Sequence, residues 1–77
     1  MVKAYVLVVT NPGATKTVFT KLQAVTGITA CFEVMGPYDI VAEIEADDLA
    51  QVPKILGEHI RTIEGVESTT SLVTFPD

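Results

Sequence analysis

The residues best fitted to recognise another molecule are Gly36-Pro37-Tyr38-Asp39, near the middle of the chain. Apolar-rich runs flank them, so they should form the tip of a β-hairpin. Hairpin tips ordinarily need little beyond Asn or Gly. Here Pro37 fixes one backbone angle and biases Gly36 away from the helical region. The Tyr38 ring can pack over a small ligand, and Asp39 can accept charge-assisted hydrogen bonds from an ammonium group. The plainer reading is that Asp39 closes the turn on its own backbone while Tyr38 covers the hairpin.

A second group is Ser68-Thr69-Thr70-Ser71, four hydroxyls in succession. Threonine is also an ordinary strand residue, so these matter for binding only if a neighbouring subunit's turn comes beside them. The remaining reactive types give no catalytic set. His59 lies about one residue off the apolar stripe of a helix, where a histidine is usually a partly exposed surface residue. Cys31 has no adjacent cation or helix N-terminus to depress its pKa. Glu43 and Glu45 share one strand face, as alternate charges on half-exposed strands do. One Cys and one His cannot supply the ligands of a zinc site or a disulfide. Gly36, Gly57 and Gly65 are too isolated to form a phosphate loop. Neither a metal nor a cofactor is expected.

The 77 residues make one domain, 1–77. So short a chain buries only about 60–65% of its unfolded surface and is marginal alone. With 48% hydrophobic residues, self-association is the expected remedy. The net charge is −5, and the basic residues Lys3, Lys16, Lys21, Lys54 and Arg61 are scattered. Phosphate neutralisation needs them clustered, so direct nucleic-acid binding is not expected. No apolar run has the length of a membrane span, and the N-terminus enters a strand pattern without a signal-peptide layout. A lone, apolar-flanked cysteine suits a reducing cytoplasm.

Val2 to Thr10 reads as a strand with apolar residues in both alternating sets, hence central and covered on both faces. Asn11-Pro12-Gly13 is a turn, and Thr15 is placed to cap a helix running to about Val25 with Val18, Leu22 and Val25 inward. Gly27 suits its C-terminal end. A period of two follows, with Ile28, Ala30, Phe32 and Val34 on one face and Thr29, Cys31, Glu33 and Met35 on the other. A third strand directs Ile40, Ala42 and Ile44 inward. Asp47 or Asp48 caps a second helix with the stripe Leu49, Val52, Leu56, Ile60 and Ile63. Pro53 either lies in its first turn or kinks it. The inserted Gly57 either admits a close neighbour or is neutral. Gly65 ends the helix, and Val66 to Phe75 forms a fourth strand ending at Pro76.

Val25-Thr26-Gly27-Ile28 and Ile63-Glu64-Gly65-Val66 occupy equivalent places. Two strand–helix–strand units in order give an α+β, ferredoxin-like βαββαβ fold. Its four-stranded antiparallel sheet would carry two helices on one face. The other face, apolar through Tyr5, Leu7 and Val9 or their alternates, then calls for a sheet-to-sheet dimer, a dimeric α/β barrel.

The chain resembles the effector-binding (RAM) domain of the leucine-responsive/asparagine-responsive (Lrp/AsnC) transcription regulators. The carrying residues are the Gly36-Pro37-Tyr38-Asp39 turn, Ile63-Glu64-Gly65-Val66, and Thr69-Thr70-Ser71-Leu72-Val73. The resemblance spans essentially the whole chain, yet the helix-turn-helix domain that precedes this one in the family's regulators is not in the sequence, as in a stand-alone RAM protein. It implies dimers that assemble into octamer-like rings (a tetramer of dimers), with amino-acid effectors between subunits. By position, Gly36, Pro37, Tyr38 and Asp39 would contact the effector, with Thr69, Thr70 and Ser71 contributing. The implied function is a non-catalytic amino-acid-binding module that modulates full-length Lrp/AsnC regulators in mixed oligomers. The competing readings are a small isomerase or cofactor-free monooxygenase of the dimeric α/β-barrel type, and an ACT-like regulatory subunit of a metabolic enzyme.

Overall fold

The computed structural model describes residues 1–75. Strand β1 spans Val2–Thr10, helix α1 Thr15–Gln23, β2 Ile28–Glu33, β3 Ile40–Ala46, α2 Gln51–Ile55 and β4 Val66–Val73. A π-helical turn, Leu56–Ile60, continues α2. The strands pair antiparallel in the order β2-β3-β1-β4. This is the expected ferredoxin-like βαββαβ arrangement, with β1 central.

Alternation along β1 decides which face is which. Ala4, Val6 and Val8 are fully buried with Ile40, Ala42 and Ile44 of β3, beneath Val18 and Leu22 of α1 and Val52, Leu56 and Ile60 of the second helical segment. Tyr5, Leu7 and Val9 therefore line the opposite face, where they are only half-buried. Register extends that face into two rows: Phe32, Val41, Leu7, Thr70, and Ala30, Glu43, Tyr5, Leu72. Phe32 is 59% exposed and Leu72 52%, so an apolar sheet face lies open in the single chain.

The two helix–glycine–strand units match in their hydrogen bonds as well as their residues. Ile28 N–H donates to Val25 O, and Val66 N–H to Ile63 O, each at 3.2 Å. Gly27 O then accepts from Glu45 N–H at 3.0 Å, and Gly65 O from Asn11 N–H at 2.9 Å. Gly65 sits at a φ of +103°, and a Cβ there would meet Ala14 Cβ at 2.9 Å and Val18 Cγ2 at 3.0 Å. Both backbone angle and close packing against α1 thus demand glycine.

Local details depart from the expected pattern. The register of β2 shifts between Ile28 and Ala30. Ile28 consequently packs on the core with Cys31, while Ala30 and Phe32 turn to the open face, so the four residues expected on one face divide between two. A bulge adds a residue without changing side-chain types, which is why the alternation alone missed it. Thr15 is the first helical residue, not the cap; Ala14 holds that position without a side-chain bond, because the Thr15 hydroxyl is turned to Thr10 (2.6 Å). Helix α1 stops at Gln23, two residues before Val25.

Pro53 lies in the first turn of α2, where its missing N–H has no helical partner to lose. The cap position is Ala50, without a side-chain bond, rather than Asp47 or Asp48; instead Gln51 N–H donates to Asp48 Oδ1 (3.2 Å) and Asp47 N–H to Gln51 Oε1 (3.1 Å), which closes the turn leading into the helix. Leu49 precedes the helix and is 58% exposed, outside the expected stripe. The π turn accommodates the four-residue steps Val52–Leu56–Ile60. An α-helix has about 3.6 residues per turn, so successive steps of four drift round its surface; the wider turn, closed by Arg61 N–H to Leu56 O (2.9 Å), returns Ile60 to the core. A Cβ at Gly57 would meet nothing within 4 Å, so no close neighbour within the chain explains this glycine. Strand β4 ends at Val73; Thr74 adds one further link to Lys3 O (3.0 Å), and Pro76, the expected end, lies outside the described residues.

Candidate functional site

The turn between β2 and β3 is built on Asp39. Its N–H donates to Val8 O and its carbonyl accepts from Val34 N–H, both at 2.9 Å. Its carboxylate Oδ2 accepts the Thr10 N–H at 2.8 Å and the Thr10 hydroxyl at 3.3 Å. Since the Thr10 proton is directed to Asp39, the 2.6 Å contact between the Thr10 and Thr15 hydroxyls has Thr15 as donor. One carboxylate thereby ties the end of β1, the start of α1 and the hairpin turn together. Asp39 thus closes its own turn through its carbonyl and ties it to the neighbouring strand through its carboxylate, and only Oδ1 is left without a protein partner in this set of bonds. The turn around it is presented outward: Met35, Gly36 and Pro37 are exposed, and Tyr38 is half-buried.

The hydroxyl group on β4 divides between the two faces of the sheet. Thr69 pairs with Val8 and Ser71 with Val6, which places both on the helix side; Thr70 pairs with Leu7, on the open side. Thr69 accepts a hydrogen bond from Arg61 Nε at 3.1 Å, an arginine that the residue types alone did not single out as a site residue. The row Ile40–Val8–Thr69 puts the end of the turn and Thr69 at the same end of the sheet, two strand spacings or about 10 Å apart. Val8 is fully buried between them.

Of the titratable groups weighed for catalysis, Cys31 and His59 do not share a pocket. Burial pushes the Cys31 thiol upward, helped by the nearby Glu33 charge and opposed by a backbone hydrogen bond, which leaves a poor nucleophile. His59 is exposed. It borders a groove of about 410 Å³ with Glu45, Asp47, Lys54 and Glu58, at the opposite end of β3 from the turn. Among the described residues no three His, Cys, Asp or Glu side chains are grouped as a metal would require, and no helix is long and apolar enough to cross a membrane.

Glu43 lies on the open face, and its carboxyl is held below the usual carboxylate range. The main cause is the Thr29 hydroxyl, which donates to Oε1 at 2.9 Å; Tyr5 and Lys3 assist, against a partial loss of hydration. A lowered folded-state pKa stabilises the fold above the unfolded value and ceases to do so as pH falls through the folded one. The difference in urea midpoint between the native chain and Glu43→Gln should therefore be constant near neutrality and shrink on acidification below about pH 4.5. A difference unchanged down to about pH 3 would contradict this assignment.

The family model described as the Lrp/AsnC ligand binding domain matches residues 3–76. A 60-residue stretch, 77% of the chain, is 40% identical to part of the homocitrate synthase of Sulfurisphaera tokodaii and spans 13% of that protein's length. Among solved structures, the Thermus thermophilus protein TTHA0845 superposes with a TM-score of 0.95 at 26% identity, covering 100% of this chain and 96% of its own. Escherichia coli AsnC gives 0.91 at 18% identity, over 99% of this chain and 52% of its own. A Neisseria meningitidis transcriptional regulator in complex with L-Met gives 0.86 at 14%, over 99% and 51%. The last two share the fold. With the family model spanning nearly the whole sequence, the chain belongs to the Lrp/AsnC ligand-binding domain family.

Proposed function

We propose that this chain is an amino-acid-binding regulatory module that works through assembly, binding its effector where the Gly36–Asp39 turn of one copy meets β4 of another. The observation that carries this is the separation of the two candidate groups within one protomer. The turn and Thr69 share an end of the sheet, but Val8 fills the space between them. A ligand touching both needs the turn of a neighbouring copy. The open face of Tyr5, Leu7, Val9, Val41, Phe32 and Leu72 supports sheet-to-sheet dimers, and the exposed turns are free to join dimers into rings. Gly36 and Pro37 offer an exposed backbone and Tyr38 a ring face, on a turn that the bonds from Asp39 to Thr10 fix. The L-Met complex of the Neisseria regulator, which has the same fold, makes an amino acid the reasonable class of effector. Full-length Lrp/AsnC regulators in the cytoplasm are the proposed partners.

Calorimetric titration with the twenty amino acids tests the binding claim. At least one should give saturable heat, and silence from all twenty would defeat it. The homocitrate synthase match favours a second reading, a regulatory unit acting on a biosynthetic enzyme. Recovery of such an enzyme, rather than a DNA-binding regulator, on the tagged chain would select it.

A further inference from the structure

Taking the amino-acid reading as its basis, we infer that the charged head of the effector is held between Arg61 and Glu67, with Asp39 a positioning residue. These two side chains line a pocket of about 320 Å³ with Val66, Ser68 and Thr69. Opposite charges bordering one small pocket would ordinarily join. Yet the one ion pair within 4.0 Å among the described residues is Lys16–Glu33, on another side of the molecule.

Each charge is separately held. Arg61 closes the π turn through its N–H to Leu56 O, and its side-chain Nε–H is given to Thr69 Oγ1. That bond orients the guanidinium plane and leaves its Nη edge for a carboxylate, a match for its fork of donors. Glu67 owes its direction to the backbone. The β1–β4 register passes from Val9↔Ser68 to Thr10↔Val66, so Glu67 is the extra residue of a β-bulge. Bulges re-aim side chains at the ends of strands and beside binding sites.

An α-amino acid completes this pair: its carboxylate lies on Arg61, its ammonium on Glu67. The Thr69 hydroxyl, already bonded to Arg61, borders the site, and Val66 supplies an apolar wall. The side chain then extends toward the turn contributed by the neighbouring copy. Asp39 is the less available acceptor for the ammonium, because its carboxylate is tied to β1 by the two bonds that Oδ2 accepts from Thr10. It acts by fixing the turn.

The probes are L-methionine, L-methioninamide and N-acetyl-L-methionine, titrated into the native chain, Arg61→Gln and Glu67→Gln. If another of the twenty amino acids binds more tightly, its own amide and N-acetyl derivative replace these. In the native chain each derivative should bind about 10- to 100-fold more weakly than the free amino acid. Arg61→Gln should lose the discrimination against the amide but keep that against N-acetylation, and Glu67→Gln the reverse. A purely structural role would weaken all three ligands alike and produce no such crossing. Variants that bind like the native chain, or that lose all ligands equally while remaining folded by circular dichroism, overturn the assignment and leave the amino-acid reading standing. A native chain that binds none of the twenty overturns both.

Discussion

Asp39→Ala should lower the stability of the folded chain by about 2–3 kcal/mol, before any effector is added. The substitution removes the acceptor of the Thr10 N–H and of the Thr10 hydroxyl. Thr10 is only 5% exposed, so water cannot readily replace that acceptor. A buried donor left without its charged partner costs more than the bond itself contributed. Against a total stability of about 5–15 kcal/mol for a small domain, such a loss is large. Asp39→Asn keeps a neutral oxygen in reach of Thr10 N–H and should cost less, about 1 kcal/mol. Urea denaturation of the three proteins orders them. Midpoints that coincide would show Asp39 to be dispensable to the fold and restore it as a direct ligand of the effector.

Leu7→Lys should abolish sheet-to-sheet pairing while leaving the protomer folded. Leu7 lies at the centre of the open face between Val41 and Thr70, and its side chain takes no part in the core of Ala4, Val6 and Val8. In the dimer it would be covered, and an unpaired ammonium there costs several kcal/mol in each copy. That should raise the dissociation constant by at least about a thousandfold. Sedimentation should report the 8.3 kDa protomer with native circular dichroism, where the native chain should sediment at twice that mass or more. Phe32→Asp, nearer the edge of the same face, should act in the same direction with a smaller effect. A Leu7→Lys chain that keeps its assembled mass would mean that the sheets do not face each other.

How far the residues alone could reach follows from the range of each interaction. The βαββαβ order was readable because changes of period and the Gly27 and Gly65 turns are local signals, and the buried residues of β3 and most of those of the helices follow from alternation and helical spacing; on β1 both alternating sets are apolar, so only packing beneath the helices selects Ala4, Val6 and Val8. The bulges at Thr29 and Glu67 were not readable, because an inserted residue shifts the register without altering composition. That is how Phe32 came to the open face and Glu67 to a pocket. The role of Asp39 was hidden for another reason. Its partner, Thr10, stands 29 residues away in sequence and becomes a neighbour only once the β1–β3 register is set. The run Thr69-Thr70-Ser71 looked like one group, although a strand necessarily sends its middle member to the other face. Arg61 escaped notice because its significance comes from the π turn and from Thr69, neither of which its own neighbours announce.

On the proposed reading, effector binding and assembly are one equilibrium, with the site shared between copies. Sedimentation equilibrium of the native chain, with and without a saturating amino acid that binds in calorimetry, tests it most directly. If the turn of one copy completes the site on another, the amino acid must favour the larger assembly, and the mean mass should rise at a protein concentration where the free chain is partly dissociated. A mass that stays constant while the amino acid binds in full would contradict it, and would place the site within a single protomer.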